Sequence, residues 1–347
     1  MTGVVATRAT EIVLPGAVEP DGLEVRVRDL PAPARGQVVL RMEATGVSFA
    51  EQQMRLGKYY DQPPFPFVPG YDVVGTVVTT GPDVDPTLRG GLFAAVIKVG
   101  GWASHLLVDA DDLVPVPAGV DPAAAETFLV NGVTAWQMLH RSAAVASGGT
   151  VVVLGANGGV GSTLVQLARH AGIEVIGTAS TRHHDAVREL GAIPLDYRDP
   201  DLYERIRGLA PDGVDAVFDH VGGPDLARSW ALLRRGGTLV NYGTASAKDE
   251  PGNAIGPVVK LFARLYAWDL LPNGRSATFY NLWAGKRNRA AFRARMNEDL
   301  TRVLQLLADG VLTPQIAARI PLAQAGDALA LAESRTVMGK VVIVAQP

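Results

Sequence analysis

The strongest pattern in the chain is a short apolar run that leads into a glycine-rich bend and then into a helical pattern. Residues 151–154 are Val-Val-Val-Leu, the bend covers residues 155–162, and residues 164–168 have the apolar spacing of a helix. Three glycines of the bend lie three residues apart, at Gly155, Gly158 and Gly161. One permits a tight turn, one lets an anion approach bare backbone, and one lets helix and strand pack closely. The sequence therefore predicts a dinucleotide pyrophosphate at the start of this helix, held by backbone amides and the helix dipole.

The region around this bend alternates between strand-like and helical patterns. Apolar residues lie at helical spacing from Ala123 to about Ala144. Helical stretches separate most of the strand-like runs, which begin near Val151, Glu174, Ile193, Asp215 and Thr238. Right-handed crossovers wind such units into a parallel sheet that is covered by helices on both faces.

The first part of the chain has a different character. From Glu11 to about Val114 the segments are short and bounded by Gly and Pro, and residues 23–27 and 37–42 alternate in polarity. This pattern is typical of an all-β, barrel-like module. Residues 339–344 predict a closing strand near the end of the chain.

Four segments after residue 245 carry further predictions. Residues 246–253 predict a polar loop, and the apolar stretch 258–271 predicts a buried or interface helix, with a membrane-surface or lid role as the alternative. Residues 277–282 predict a strand. Residues 288–307 predict an amphipathic helix with a solvated arginine face, formed by Arg287, Arg289, Arg293 and Arg295.

Composition limits the possible classes of protein. A length of 347 residues is enough for two domains. A net charge of -3 with 19% charged residues gives no basic field, which excludes nucleic acid as the principal partner. Because the chain has no Cys, disulfides, thiolate metal sites and a Cys nucleophile are excluded. No apolar run reaches the ~20 residues of a membrane span and no signal peptide is evident, so we expect a cytoplasmic protein without stable membrane insertion.

The end of the second strand in the nucleotide-binding region indicates which dinucleotide binds. An NAD enzyme has Asp or Glu there for the ribose 2′-hydroxyl. This chain instead has Ser180, Thr181 and Arg182 after the apolar run, and two hydroxyls with a guanidinium suit a 2′-phosphate. The sequence therefore predicts NADPH. The alternative is that Arg182 is a surface residue at the start of a helix.

Seven short segments of the chain, in the order in which they occur, resemble segments of a known family. The segments are Gly46–Glu51, Arg55–Tyr59, Pro69–Asp72, Gly155–Gly161, Phe218–Gly223, Leu233–Gly237 and Gly339–Val342. With them the chain resembles, from about Val38 to Val344, the zinc-free quinone oxidoreductase branch of the medium-chain dehydrogenase/reductase superfamily, which includes zeta-crystallin-like and enoyl-reductase relatives.

The resemblance implies an architecture of the α/β class. We expect a GroES-like β-barrel domain at residues 1–124 and 285–347, and a Rossmann domain with a doubly wound parallel sheet at residues 125–284. The cofactor would lie in the cleft between them. The resemblance also implies a homodimer joined through the Rossmann edge strand near residues 277–282.

The resemblance assigns candidate residues to the chemistry. Tyr59 matches a Tyr that is a proposed proton donor in enoyl reductases, with an aromatic wall of the pocket as the alternative and Tyr60 as a substitute. Ser48 and Glu51 stand where relatives usually have Asn and Asp, so they are candidates to contact substrate, or else solvated loop residues. Ser48 and Tyr71 occupy the positions of Cys and His zinc ligands in the alcohol dehydrogenases of the superfamily.

The cofactor contacts combine the motif with the resemblance. Asn131 and Thr134 match positions that face the nicotinamide, although helix packing is an equal alternative, and Tyr197 matches a Tyr that approaches the 2′-phosphate. His220 stands where Ser or Pro is usual and is either a turn residue or a functional one. The predicted cofactor-contacting residues are Asn131, Thr134, Gly155, Asn157, Gly158, Gly159, Val160, Gly161, Ser180, Thr181, Arg182, Tyr197, Val221, Tyr242 and Gly243.

These residues define the expected activity. The six His show no metal-ligand spacing, so we predict no metal, and without a Lewis acid to ionise an alcohol we expect hydride transfer to an activated acceptor. The acceptor would be a quinone or a small α,β-unsaturated carbonyl compound. The alternative is a catalytically idle NADPH-binding protein with a structural, regulatory or trafficking role.

Overall fold

The computed structural model describes residues 7–59, 61–243, 255–334 and 336–345. These residues form two compact units. The first unit runs up to Val133 and resumes at Gly285, and the second extends from Thr134 to Ala284. The predicted polar loop at 246–253 and the predicted substitute Tyr60 lie outside the described residues.

The first unit is built mainly on antiparallel strands, with one parallel pair near the end of the chain. Its sheet has the order β14-β15-β3-β4-β5-β7, with β6 paired to β3, and β1 and β2 form a separate ribbon. The elements of this unit are β1 (Thr7–Val13), β2 (Glu24–Leu30), β3 (Gln37–Val47), α1 (Phe49–Arg55), β4 (Asp72–Thr80), β5 (Leu92–Val96), β6 (His105–Asp109), β7 (Val114–Pro115), α2 (Pro122–Glu126), α9 (Arg289–Ala308), β14 (Ile316–Pro321), α10 (Ala325–Glu333) and β15 (Lys340–Val344). The helix α3 (Val130–Gln137) contains the boundary between the units.

Alternating apolar residues of these strands supply the core of the first unit. Leu40 and Met42 of β3, Val73 of β4 and Ile343 of β15 are fully buried there. Strand β2 differs, because Val25 and Val27 are exposed. Its other face carries Arg26 and Arg28, which both bind the buried carboxylate of Glu11 on β1, so charge pairing links the two strands where apolar burial does not.

The second unit contains a six-stranded parallel sheet of order β10-β9-β8-β11-β12-β13. This sheet and the antiparallel first unit confirm the predicted fold class. The elements of the second unit are β8 (Thr150–Val153), α4 (Gly159–His170), β9 (Glu174–Ala179), α5 (His184–Leu190), β10 (Ile193–Asp196), α6 (Leu202–Leu209), β11 (Val214–Asp219), α7 (Leu226–Ala231), β12 (Leu233–Asn241), α8 (Ile255–Asp269) and β13 (Ser276–Phe279). Strands β8 and β11 are neighbours, and from this pair the sheet grows outward in both directions.

Two segments of the second unit depart from prediction. Strand β12 begins at Leu233, earlier than the predicted Thr238, and its pairing with β11 shifts register between these residues. Strand β13 ends at Phe279, short of the predicted Leu282, because the Asn281 side chain accepts the Trp283 amide and starts a turn.

The predicted solvated arginine face on α9 is wrong at Arg293. The Arg293 side chain is 17% exposed and its guanidinium binds Asp109, Asp111 and Asp112. These hydrogen bonds, first of all those to Asp112, raise the pKa of Arg293. The helical spacing of the arginines could not reveal acidic partners about 180 positions earlier in the chain.

In the part of the chain that the structure describes, no helix is both long and apolar enough to cross a bilayer.

A buried charge cluster holds three elements of the first unit together. Lys340, the first residue of β15, places its Nζ 2.9 Å from Asp72 Oδ2 and also contacts the carboxylate of Glu126 at the end of α2. All three side chains are almost fully buried. A Cβ at Gly46 of β3 would overlap both Glu126 and Lys340, so the cluster packs directly on the backbone of β3.

The protonation of this cluster follows from burial and proximity. Burial raises the pKa of Glu126 well above its usual range, and the nearby Asp72 adds to the increase, against the opposing effect of Lys340. Burial by itself lowers the pKa of Lys340, but the two carboxyl groups outweigh it and the net direction is upward. Lys340 is therefore charged at any ordinary pH.

Replacement of Lys340 by Met tests the cluster. The variant leaves two carboxyl groups buried without their cation, and removing one partner of a buried pair costs about 3–5 kcal/mol. We expect a loss of this size in the free energy of unfolding at neutral pH, measured by urea denaturation, and a smaller loss at acid pH, where Glu126, whose pKa is raised by burial, becomes neutral.

The matched control is Arg319→Met. Arg319 on β14 binds Asp121 through two hydrogen bonds of 3.1 and 2.6 Å, but both side chains are about half exposed. Such a surface pair contributes ~1 kcal/mol or less. Equal losses in the two variants would contradict a special role of the buried cluster.

Candidate functional site

The glycine bend at the end of β8 has the geometry of an anion cradle. Gly155 has φ +73°, and its amide donates to Thr178 Oγ1 at 3.0 Å. Asn157 lies within the tight turn that the hydrogen bond from the Gly158 amide to the Gly155 carbonyl closes. A Cβ at Gly161 would overlap the Gly155 carbonyl, so only glycine lets α4 approach the end of β8 this closely.

Helix α4 begins directly after this bend. Its N-cap is Gly158, which brings no side chain to the first turn. The amides of a helix's first turn, here those of Gly159, Val160 and Gly161, have no intrahelical acceptor and attract an anion together with the helix dipole. The bend therefore fits a phosphate that approaches bare backbone.

The other predicted cofactor residues follow the neighbouring strands. In a parallel sheet the carboxyl ends of all strands share one edge, and ligands bind there where the strand order reverses. The structure brings to this edge Gly155 after β8, Ser180 after β9, Tyr197 after β10, Val221 after β11, and Tyr242 and Gly243 after β12. The reversal lies between β8 and β11.

The segment after β9 presents hydroxyl groups and a guanidinium. Ser180 is buried, and the exposed Thr181 and Arg182 form a single helical turn with His183. Arg182 Nε lies 3.1 Å from His183 Nε2. No carboxylate ends β9, although Asp196 ends the adjacent β10.

Two residues at the end of β10 border this segment. The Tyr197 amide donates to the Ala179 carbonyl at the end of β9, and the Tyr197 side chain is 54% exposed. The Asp196 carboxylate accepts the Arg198 amide at 3.0 Å, so it closes a local turn.

His220 is a residue of this edge that the predicted cofactor set missed. Its Nδ1 lies 2.9 Å from the Leu154 carbonyl, and because a carbonyl only accepts, Nδ1 carries the hydrogen. Its ring stands so close to Gly155 that a Cβ there would overlap it. The ring centroid lies 5.9 Å from that of Tyr242. His220 thus connects the ends of β11 and β8, where the strand order reverses. No local sequence signal predicts this contact.

The buried carboxylate of Asp219 orders the loop after β11. It accepts the amides of Val221 and Gly222, both at 2.8 Å, and the hydroxyl of Ser229. Burial raises the pKa of Asp219, and these hydrogen bonds oppose the increase. Burial also raises the pKa of Tyr242, whose amide donates to the Asp219 carbonyl.

In the first unit, Ser48 and Glu51 form a capping box at the start of α1. Ser48 Oγ accepts the Ala50 amide, the Ser48 amide donates to Glu51 Oε2 at 2.8 Å, and the two side chains also contact each other. Glu51 is buried, and its Oε1 accepts no hydrogen bond from any described residue. Burial raises the pKa of Glu51, hydrogen bonding to Ser48 opposes the increase, and the charge of Asp72 adds to it.

Tyr59 and Tyr71 lie together in the same unit. Their hydroxyl oxygens are 2.6 Å apart, and their rings meet edge to face with centroids 6.4 Å apart. Tyr71 is buried and Tyr59 is half-buried. Across residues 7–59, 61–243, 255–334 and 336–345, no three His, Asp or Glu side chains converge to hold a metal ion.

Asn131 and Thr134 lie one turn apart on α3 and are both buried. Asn131 Nδ2 donates to the Thr127 carbonyl at 3.2 Å. The amide of the preceding Val130 donates to Asp72 Oδ2 at 3.3 Å, so the buried charge cluster also anchors the start of α3.

Family profiles match most of the chain. A profile described as alcohol dehydrogenase GroES-like domain matches residues 34–118, and one described as zinc-binding dehydrogenase matches residues 190–343.

Individual relatives show the same similarity. The human synaptic vesicle membrane protein VAT-1 homolog is 31% identical over 335 residues, which cover 94% of this chain and 83% of that protein. A probable quinone oxidoreductase of Schizosaccharomyces pombe is 31% identical over 228 residues, which cover 65% and 68% of the two chains. A mycobacterial protein whose structure was solved in complex with NADPH is 28% identical with a TM-score of 0.82, and the match covers 97% of this chain and 99% of that one.

Substitution of Gly158 by Ala tests the anion cradle. Gly158 has φ -79°, and an added Cβ meets only the Gly155 carbonyl, at an ordinary 3.4 Å. The variant should therefore fold normally, while its methyl group stands where the phosphate would approach. We expect NADPH binding at least about tenfold weaker, or ~1.4 kcal/mol, by titration calorimetry.

The matched variant is Gly161→Ala, whose Cβ overlaps the Gly155 carbonyl. This variant should lower the urea midpoint of unfolding, which Gly158→Ala leaves unchanged. Wild-type NADPH affinity in folded Gly158→Ala would show that no phosphate approaches this bend.

Proposed function

The chain belongs to the zinc-free quinone oxidoreductase branch of the medium-chain dehydrogenase/reductase superfamily, and on that premise we propose that it is an NADPH-dependent reductase of quinones or α,β-unsaturated carbonyl compounds. The observation that carries the proposal is the edge of the parallel sheet, where a glycine cradle for pyrophosphate stands beside hydroxyl groups and a guanidinium. In this proposal the second unit binds the cofactor and the first unit supplies groups to the substrate.

The residues at this edge fit NADPH rather than NADH. The cradle is open because Gly155, Gly158 and Gly161 carry no side chain. Ser180, Thr181 and Arg182 follow β9 where an NAD enzyme would have an acid, and Asp196 on the next strand is engaged with the Arg198 amide. A 2′-phosphate would gain charge-assisted hydrogen bonds from these groups.

The donor groups of the first unit favour reduction of an activated acceptor. Ser48 and Tyr71 occupy the positions of zinc ligands in the alcohol dehydrogenases of the superfamily, but a Ser hydroxyl and a Tyr phenol are poor zinc ligands compared with Cys and His. Ionising an alcohol without a Lewis acid is unfavourable. A quinone or an enone requires no such ionisation before it accepts hydride.

NADPH, when bound, supplies the hydride. Hydride addition at the β-carbon of an enone places charge on the carbonyl oxygen, and a proton must then reach the α-carbon. We assign to Tyr59 the role of proton donor and to Ser48 and Glu51 contact with substrate. We assign to Asn131 and Thr134 contact with the nicotinamide, which orients it for transfer.

The proposal includes a homodimer joined at the outer strand of the parallel sheet. Strand β13 ends the strand order, and among the described residues no strand pairs with its outer side. Beside it, α8 buries Leu261 and Leu265 but exposes Val259 and Tyr266, and Leu270 directly after the helix is exposed as well. An unpaired strand edge next to exposed apolar side chains is the kind of surface that a second copy covers around a two-fold axis.

A turnover assay tests the proposed reaction. Purified full-length protein should consume NADPH in the presence of at least one member of a panel of quinones and enones, followed by the loss of nicotinamide absorbance. NADPH should be used in preference to NADH. Tight NADPH binding without turnover across the whole panel would instead support the idle NADPH-binding protein.

Arginine variants supply the control for cofactor identity. Arg182→Ala should weaken NADPH about tenfold to a hundredfold and leave NADH almost unchanged, because hydrogen bonds to a charged group contribute ~1.5–3 kcal/mol. Arg188→Ala, in the next helix, removes an exposed guanidinium paired to Asp185 and should change neither. Equal losses for both cofactors in Arg182→Ala would remove Arg182 from the phosphate site.

Sedimentation equilibrium tests the dimer. The expected mass is twice the 36.6 kDa of one chain, and Tyr266→Glu should shift the protein towards that single-chain mass by placing a charge in the apolar contact. A wild-type protein that stays at 36.6 kDa at every concentration would contradict the dimer.

A further inference from the structure

The pair of tyrosine hydroxyls in the first unit joins a half-buried loop residue to a residue held by the core. Tyr59 lies in the loop after α1, outside helix and strand. Tyr71 immediately precedes β4, is 3% exposed, and its carbonyl accepts the Ile97 amide at 2.8 Å. The next residue, Asp72, is bound to Lys340 in the buried cluster. The position of Tyr71 is therefore set by the core, and the Tyr59 hydroxyl is hydrogen-bonded to it.

The distance between the hydroxyls determines how their hydrogens are shared. At 2.6 Å the two oxygens are joined by one hydrogen bond, and each phenol has a single hydrogen. One O–H thus lies between the oxygens and the other points elsewhere. If Tyr71 donates, the Tyr59 hydrogen is the one that points away from the pair.

We propose that Tyr71 is a positioning residue that donates its O–H to the Tyr59 oxygen, so that the Tyr59 O–H is presented to the substrate carbanion. This inference rests on the proposed function, since it assigns to a second residue the orientation of the proton donor. Tyr71 itself does not contact the reacting atoms.

The proposed step balances in protons and electrons. Hydride transfer from NADPH brings both electrons to the β-carbon and leaves an enolate and NADP⁺. The Tyr59 O–H bond then breaks, its proton forms the new C–H bond at the α-carbon, and Tyr59 becomes a tyrosinate. The O–H of Tyr71 stabilises this anion, because hydrogen bonds that involve a charged partner are shorter and stronger. A proton from water restores the Tyr59 hydroxyl before the next turnover.

The edge-to-face contact of the rings helps to hold the proposed proton donor in place. Such a contact fixes the ring of Tyr59 against a ring that the core holds in place. A donor whose ring is fixed loses little freedom when the substrate arrives, which favours alignment of its hydrogen with the α-carbon.

Three phenylalanine variants of the whole chain test the proposal. Tyr59→Phe should lower kcat for enone reduction about a hundredfold, the usual contribution of a positioned acid. Tyr71→Phe should lower kcat about tenfold or more and move the alkaline limb of the pH–rate profile to higher pH, while the Kd for NADPH is unchanged. Tyr203→Phe is the matched control: Tyr203 is buried in the second unit and its hydroxyl bonds Ser229, so it loses a phenol hydroxyl without any expected change in kcat or in the profile.

A second measurement does not depend on turnover. Tyrosinate formation is followed by its ultraviolet difference spectrum during an alkaline titration of the cofactor-free protein. Subtracting the titration of the Tyr59→Phe variant leaves the component that belongs to Tyr59. Loss of the Tyr71 donor should move this component to higher pH.

The outcomes separate the two proposals. If the wild type reduces enones and Tyr71→Phe keeps the wild-type kcat, pH profile and tyrosinate titration, the role of Tyr71 is overturned and the proposed function stands. If Tyr71→Phe loses activity together with thermal stability and NADPH affinity, Tyr71 is structural and the inference is again overturned. If the wild type reduces nothing, the proposed function fails, whatever the titration shows.

Discussion

The first unit depends on a single ammonium group in its interior. Lys340 binds Asp72 at the start of β4 and Glu126 at the end of α2, and it packs against the β3 backbone at Gly46. Two carboxyl groups in this place would repel each other and lose their hydration without compensation. The cation makes their burial possible, and it thereby fixes three segments that differ widely in sequence position.

Three candidate site residues of this unit lie one or two positions from Asp72 or from residues that contact the cluster. Tyr71 precedes Asp72, Ser48 follows Gly46 by two residues, and Asn131 follows Val130, whose amide binds Asp72. The charge of Asp72 also contributes to the raised pKa of Glu51. The cluster thus helps to position these candidate residues, and it contributes to the raised pKa of Glu51. The second unit uses different means, since its sheet edge offers backbone amides, hydroxyl groups and a guanidinium to an anion.

Local patterns predicted the features that local backbone determines. The glycine bend follows directly from its spacing, because Gly155, Gly158 and Gly161 each meet a steric or conformational demand within a few residues. The capping box of Ser48 and Glu51 was also readable, as a Ser-x-x-Glu pattern before a helix, although family resemblance alone had singled these residues out. The two-unit fold class followed from the change between short alternating runs and repeated strand–helix units.

Interactions between distant segments could not be predicted in this way. In the sequence, Lys340 is an ordinary charged residue at the start of a strand, and no neighbouring residue indicates that it will contact Asp72 or Glu126. The sequence pattern assigns Arg293 to a solvated helix face. Its acidic partners, which lie in the turn after β6, become evident only in the folded structure. For His220 the sequence left a turn role and a functional role open, and its contact with the Leu154 carbonyl is defined only when the parallel sheet brings the ends of β11 and β8 together. In each case the partner lies tens to hundreds of positions away, and only the tertiary fold defines the pair.

The placement of Lys340 has a consequence for the order in which the chain acquires its structure. The contact between Lys340 and Asp72 spans 268 positions, and β15 is the strand that pairs with β3 on one side and β14 on the other. On the ribosome, Asp72 and Glu126 emerge long before their cation, whereas every strand of the parallel sheet is complete by Phe279. The nucleotide-binding unit can therefore fold during synthesis while the first unit waits with an open β3 edge for its last strand. The half that contains the glycine bend can thus form during synthesis, whereas the sheet that carries Tyr71 requires residues 340–344 for its pairing between β15 and β3.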